Sequence, residues 1–103
     1  MIITAQELAV IKIALDLSTN EITHEGQVYY KPRTYTTIAE QRVALSVYNK
    51  VADSTKEEDG AKILVESEIE FSTEEKKLVL DLIERPFTIT DLQYKLSLFD
   101  KLS

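Results

Sequence analysis

The chain has 103 residues, 44% of them apolar and 29% charged, with two glycines and two prolines, enough for one hydrophobic core and too few for two ordinary domains. It has no Cys, which excludes disulfides, thiolate nucleophiles and Cys-based zinc or iron–sulfur sites. Eighteen acids against twelve bases give a formal net charge of −6, a poor composition for gripping nucleic-acid phosphates.

Thr4 and Glu7 have the spacing of a capping box, in which each side chain satisfies the other residue's free backbone N–H at a helix start. A helix over 5–17 follows, apolar around most of its circumference, so it is expected to be central. Ser18-Thr19-Asn20 should end it. Ile22-Thr23-His24 and Gln27-Val28-Tyr29-Tyr30 then flank Glu25-Gly26, predicting a hairpin near 22–30.

Pro32 keeps Lys31 out of helical geometry, and Thr37-x-x-Glu40 is the next capping box. The helix it opens should run over 38–52, burying stripes of Ile38, Leu45 and Ala52 and of Val43, Val47 and Val51. Residues 53–60 contain no large apolar side chain and read as an exposed loop. From Ile63 to Phe71 the period changes to two, predicting one strand over 63–71 with Glu66, Glu68 and Glu70 in water and Ile63, Val65, Ile69 and Phe71 inward.

Ser72-x-x-Glu75 predicts a third helix, ending before Pro86. Thr90-x-x-Gln93 reads as a fourth capping box, opening a last helix with Leu92, Leu96, Phe99 and Leu102 as its core stripe. No internal repeat or linker is evident. The expected fold is α+β: a single domain over 1–103, with about four helices and a small antiparallel sheet made of the hairpin and strand 63–71.

The longest apolar-rich stretch, 8–17, is interrupted by Lys12 and Asp16 and is far shorter than the roughly 20 residues of a membrane span. The first residues lack a basic region and a cleavage site, so a cytoplasmic chain is expected.

Three stretches are candidates for function. Glu21-x-x-His24 has the spacing that presents two metal ligands on one helix face, but it lies in poor helix sequence in a chain with a single His, so no metal is expected. Residues 26–39 contain no acid, and there Lys31 and Arg33 lie among Tyr29, Tyr30 and Tyr35, residue types that concentrate binding energy at interfaces. Against them stands the acidic segment 53–75, with nine acids and only Lys56 and Lys62, a net −7. Within it Glu66, Glu68 and Glu70 alternate at about 7 Å, close to the spacing of phosphates on one DNA strand.

The paired acids Glu57-Glu58-Asp59 and Glu74-Glu75 lie where solvation or a helix dipole explains them, and no phosphate-binding or nucleophile motif is present. No catalytic residue and no cofactor is therefore expected. The leading reading is a small acidic regulatory protein that binds a macromolecular partner, most directly a protein, through Tyr29, Tyr30, Lys31, Arg33 and Tyr35. Two others stand beside it. One is an acidic inhibitor, of the kind phages and mobile elements encode, competing for the nucleic-acid site of an enzyme. The other is a structural subunit of a larger particle, for which a homo-oligomer is a natural form.

Overall fold

Thr4 opens the first helix as its spacing to Glu7 predicts. In the computed structural model, which describes the backbone of residues 1–103 and all side chains except those of residues 19–22 and 28, Thr4 Oγ1 accepts from the Glu7 amide at 3.2 Å. The Glu7 carboxylate accepts in turn from the Thr4 amide at 2.9 Å. Strand β1 (Ile2–Ile3) leads into helix α1 (Ala5–Asp16). Ile3, just before the cap, and Leu8, one turn in, are both fully buried, the arrangement that fixes the angle at which a chain enters a helix.

Strands β2 (Leu17–His24) and β3 (Gln27–Pro32) follow, then helix α2 (Ile38–Asp53). Strands β4 (Thr55–Glu58), β5 (Ala61–Leu64) and β6 (Ser67–Glu68) precede helices α3 (Thr73–Ile83) and α4 (Ile89–Leu102). The fold is α+β, as expected. Its strands form three separate two-stranded antiparallel sheets, β1 with β6, β2 with β3 and β4 with β5, and not one small sheet.

Four local expectations are corrected. The hairpin expected near 22–30 is longer, because its first strand starts at Leu17 directly after α1. The stretch 53–60, expected as a loop, is mostly a second hairpin turning at Asp59-Gly60. Both residues there have positive φ, +50° and +80°, as Glu25 and Gly26 do in the first hairpin at +52° and +78°. Such paired left-handed residues make a two-residue turn whose twist matches the strands it joins. The strand expected over 63–71 is broken into β5 and β6, which pair with different strands. Alternation survives only beyond the break: Glu66, Glu68 and Glu70 are exposed while Ile69 and Phe71 are buried, but Ile63, expected inward, is exposed and Val65 only half-buried. Finally, α4 starts two residues earlier than Thr90 implies, with Thr88 as its N-cap; the Thr88 carbonyl accepts from the amides of Asp91 and Leu92.

Helix α1 packs on all three other helices, and so does α3. The core is built from Ile3, Leu8, Ile11 and Ala14 of the first segment, Val47 and Val51 of α2, Val79 and Ile83 of α3, and Leu98 and Leu102 of α4. Of the two stripes expected on α2 the valine one faces it, beside buried Ala44: Val47 and Val51 are buried and Val43 is half-buried, whereas Ile38, Leu45 and Ala52 are exposed. On α4 the stripe is likewise turned. Leu98 and Leu102 are buried, Leu92 is half-buried, and Leu96 and Phe99 are exposed.

The packing exposes an internal duplication that the sequence reading missed. Thr37-Ile38 and Leu45-Ser46-Val47-Tyr48-Asn49-Lys50-Val51 of α2 correspond position for position to Thr88-Ile89 and Leu96-Ser97-Leu98-Phe99-Asp100-Lys101-Leu102 of α4. Ile3-Thr4-x-x-Glu7 and Phe71-Ser72-x-x-Glu75 correspond in the same way at the starts of α1 and α3. The contacts repeat too. Lys101 of α4 donates to Glu7 at 2.6 Å and to the Ile2 carbonyl at 2.9 Å; Lys50 of α2 donates to Glu75 at 2.7 Å and to the Glu70 carbonyl at 2.7 Å. Each carbonyl lies two residues before its helix cap. The chain is thus two strand–helix–helix units, each anchoring the other's capping-box glutamate, with the β2–β3 hairpin inserted between the helices of the first.

Candidate functional site

The aromatic–basic stretch divides into two parts with different work. An α-helix leaves its last four carbonyls without intrahelical donors. At the end of α1 all four find one: the Ile13 carbonyl accepts from the Leu17 amide, the Ala14 carbonyl from Arg33 Nε at 2.8 Å, the Leu15 carbonyl from the Tyr35 hydroxyl at 3.1 Å, and the Asp16 carbonyl from the Arg33 amide at 2.8 Å. Helix α1 has no basic residue in its own last turn, so the Arg33 guanidinium also supplies the positive charge that favours a helix C-terminus. Arg85 extends the same belt by donating to the Leu17 carbonyl at 2.8 Å. Burial raises the Tyr35 phenol pKa above its ordinary value, against the lowering effect of Arg33, so the hydroxyl remains a donor.

Arg33 and Tyr35 are therefore half-buried anchors that dock the hairpin strand on α1, a structural role the sequence did not suggest for them. Tyr29, Tyr30 and Lys31 on β3 are all exposed. The Tyr29 hydroxyl donates to the Gln27 carboxamide along the same strand, which fixes the ring against the hairpin. Beyond them the residues of the turn, 23–27, are exposed as well. His24 lies there, 3.8 Å from the Glu25 carboxylate; Glu21, its partner in the metal-ligand spacing, lies outside the described side chains. Among the described residues no group of three or more His, Cys, Asp or Glu is placed to hold a metal ion.

The three glutamates of the acidic segment are exposed but do not form one regular row. Glu68 alone is in β6, and both Glu68 and Glu70 pair with the Met1 amino group, which lowers the Glu70 pKa and raises that of the amine.

The strongly held carboxylates are elsewhere, and composition gave no sign of them. Glu7 and Glu75 are both buried. Burial pushes each carboxyl pKa up, but the hydrogen bonds outweigh it and hold both below the ordinary value: from Lys101 and Thr4 on Glu7, and from Lys50, Ser72 and Ser46 on Glu75. A general acid would need the opposite shift. Glu75, expected as a solvated helix-start acid, is instead the buried half of an ion pair, because half-buried Lys50 reaches it from α2.

Two open clefts flank Tyr35, one beside Val43 and Leu78, the other beside Leu15, Leu45 and Tyr48. No protein-family model matches the chain, and comparison with curated proteins and with solved structures finds no significant similarity.

Proposed function

We propose that this chain is a non-catalytic, cytoplasmic regulatory protein that captures a protein partner on the outer part of the β2–β3 hairpin. The observation that carries the reading is the division of labour along one strand. Arg33 and Tyr35 are committed to closing α1, whereas Tyr29, Tyr30 and Lys31, of the residue types that supply binding energy at interfaces, stand exposed on the adjoining residues. The buried carboxylates are spoken for by helix caps and by lysines, which leaves them no role in proton transfer. No described helix is long and apolar enough to cross a membrane.

The test is affinity capture from the native host with the wild-type chain, a Tyr29→Ala/Tyr30→Ala/Lys31→Ala variant, and a Glu66→Gln/Glu68→Gln/Glu70→Gln variant. A protein retained by the wild type and by the glutamine variant but lost from the hairpin variant supports the proposal. A nucleic-acid-handling enzyme lost from the glutamine variant alone overturns it in favour of an acidic competitor.

A further inference from the structure

The two outer helices present the same apolar stripe to solvent. Ile38, Leu45 and Tyr48 on α2 are 69%, 59% and 45% exposed, and their counterparts Ile89, Leu96 and Phe99 on α4 are 84%, 56% and 39% exposed. Core packing accounts for neither set, since each helix buries its opposite side. The helices pack in the order α1–α2–α3–α4 and back to α1, with α1 against α3 across the middle, so α2 and α4 stand at opposite corners and their stripes face away from each other.

What distinguishes the two faces is charge. Side chains seven apart lie on nearly the same line of a helix. Arg42 and Asn49 therefore edge one side of the α2 stripe, with Gln41 and Tyr48 on the other. On α4 the matching edges carry Gln93 and Asp100, and Leu92 and Phe99. Laid antiparallel with Leu45 over Leu96, an α2 face and an α4 face bring Arg42 opposite Asp100, Asn49 opposite Gln93 and Tyr48 opposite Leu92. Ile89 then meets the small Ala52, and Ile38 the small Ser103. Pairing α2 with α2 sets Arg42 against Asn49, and α4 with α4 sets Asp100 against Gln93, with no opposite charges in either. Among the described residues neither Arg42 nor Asp100 is held by an ion pair inside the chain.

We propose that the α2 face of one molecule docks antiparallel on the α4 face of a second copy. The two faces differ and point apart, so the contact is heterologous and repeats from molecule to molecule into an open chain or a ring. It involves one helix face a side, 16 and 14 residues long, less than the roughly 800 Å² per partner of a standard stable interface, so assembly is reversible and grows with concentration. The inference is independent of the hairpin's partner.

Sedimentation velocity over a concentration series tests it with Leu45→Glu and Leu96→Glu, each of which spoils one exposed face and leaves the core untouched. Wild type is expected to pass beyond dimer as concentration rises. Each variant alone should need at least about tenfold more protein to associate, as loss of a central apolar anchor requires. Mixed, the two should form a one-to-one dimer and stop, because only one good α2 face and one good α4 face remain. Circular dichroism of each variant confirms the helical body is intact. Arg42→Asp should weaken assembly and Arg42→Asp/Asp100→Arg restore it. A monomeric wild type overturns the proposal. So does dimerisation of Leu96→Glu alone, which means α2 on α2, or of Leu45→Glu alone, which means α4 on α4.

Discussion

Lys101 reaches across 94 positions of sequence to place its ammonium 2.6 Å from Glu7, ion-pairing the carboxylate that caps the first helix with the last turn of the last helix. Glu7 thus holds three things together: the Thr4 amide, α4 and, through Lys101, the Ile2 carbonyl of β1. Glu7 is buried but Lys101 is about a third exposed, so the pair is only partly sheltered, and breaking it costs about 1–3 kcal/mol. Lys101→Ala and Glu7→Ala are each expected to lose about that much in urea unfolding, with the double variant losing clearly less than their sum. Lys50→Ala and Glu75→Ala should behave alike, since the second unit repeats the pair. Additive losses at either pair would show that the lysine and the glutamate act separately.

Acid should loosen the same joints. Both carboxyl pKa values are below their ordinary value of 4.5 in the folded chain, so the unfolded chain binds protons first as pH falls. The stabilisation is complete at neutral pH, begins to fall as pH drops toward 4.5, and is lost through the lower folded-state values. A Glu7→Gln/Glu75→Gln variant should be less stable than wild type at pH 7 and should lose less stability on going from pH 6 to pH 3. Parallel pH profiles would contradict the assignment.

The end of α1 gives a contrast within one stretch of sequence. Tyr35→Phe removes a donor to the Leu15 carbonyl and should cost about 0.5–1.5 kcal/mol, and Arg33→Ala more, since a charged donor is lost from Ala14. Tyr29→Ala and Lys31→Ala, at exposed positions, should change stability by less than about 0.5 kcal/mol. If Tyr35→Phe is as silent as Tyr29→Ala, the closing role assigned to residue 35 is wrong.

At the hairpin turns the backbone, and not packing, decides. No atom lies within 4 Å of a Cβ built on Gly26 or Gly60, yet both have φ near +80°. Gly60→Ala should therefore cost on the order of 1 kcal/mol from left-handed strain alone, while Asp59→Gly is neutral or mildly stabilising. Thermal melts of the two variants distinguish this from a steric origin, under which Gly60→Ala would be silent.

Much of this fold is written in local signals. Thr4–Glu7 and Ser72–Glu75 mark helix starts because a capping box is satisfied entirely by neighbouring residues. Thr37 accepts from the Glu40 amide as predicted, although the Glu40 carboxylate turns to the Thr36 amide. Signals that depend on distant chain were not legible. Ile38 and Leu45, like Leu96 and Phe99, have the spacing of core residues, and nothing local says that Val47 and Leu98 win the inward side. The Asp59-Gly60 turn was readable as a dipeptide, but its flanks lack the alternating apolar residues that make such a turn persuasive. The duplication was hidden because its two halves differ by an inserted hairpin, so the first pair of helices and the second are out of step. Of the expected binding residues, Arg33 and Tyr35 have the right chemistry for an interface, but the α1 carbonyls that occupy them come from the preceding helix.

The measurement that bears most directly on the proposed function is the dissociation rate of the complex with the captured partner, compared between Tyr30→Ala, Lys31→Ala and the Glu66→Gln/Glu68→Gln/Glu70→Gln variant. Interface anchors govern how long a complex lasts, whereas exposed charges away from the contact mainly govern encounter. The hairpin variants are expected to dissociate at least about tenfold faster with unchanged stability. The glutamine variant should keep the wild-type dissociation rate and lose only association rate and salt dependence. An unchanged dissociation rate in both hairpin variants, with binding abolished in the glutamine variant, would contradict the proposal and move the site to the acidic segment.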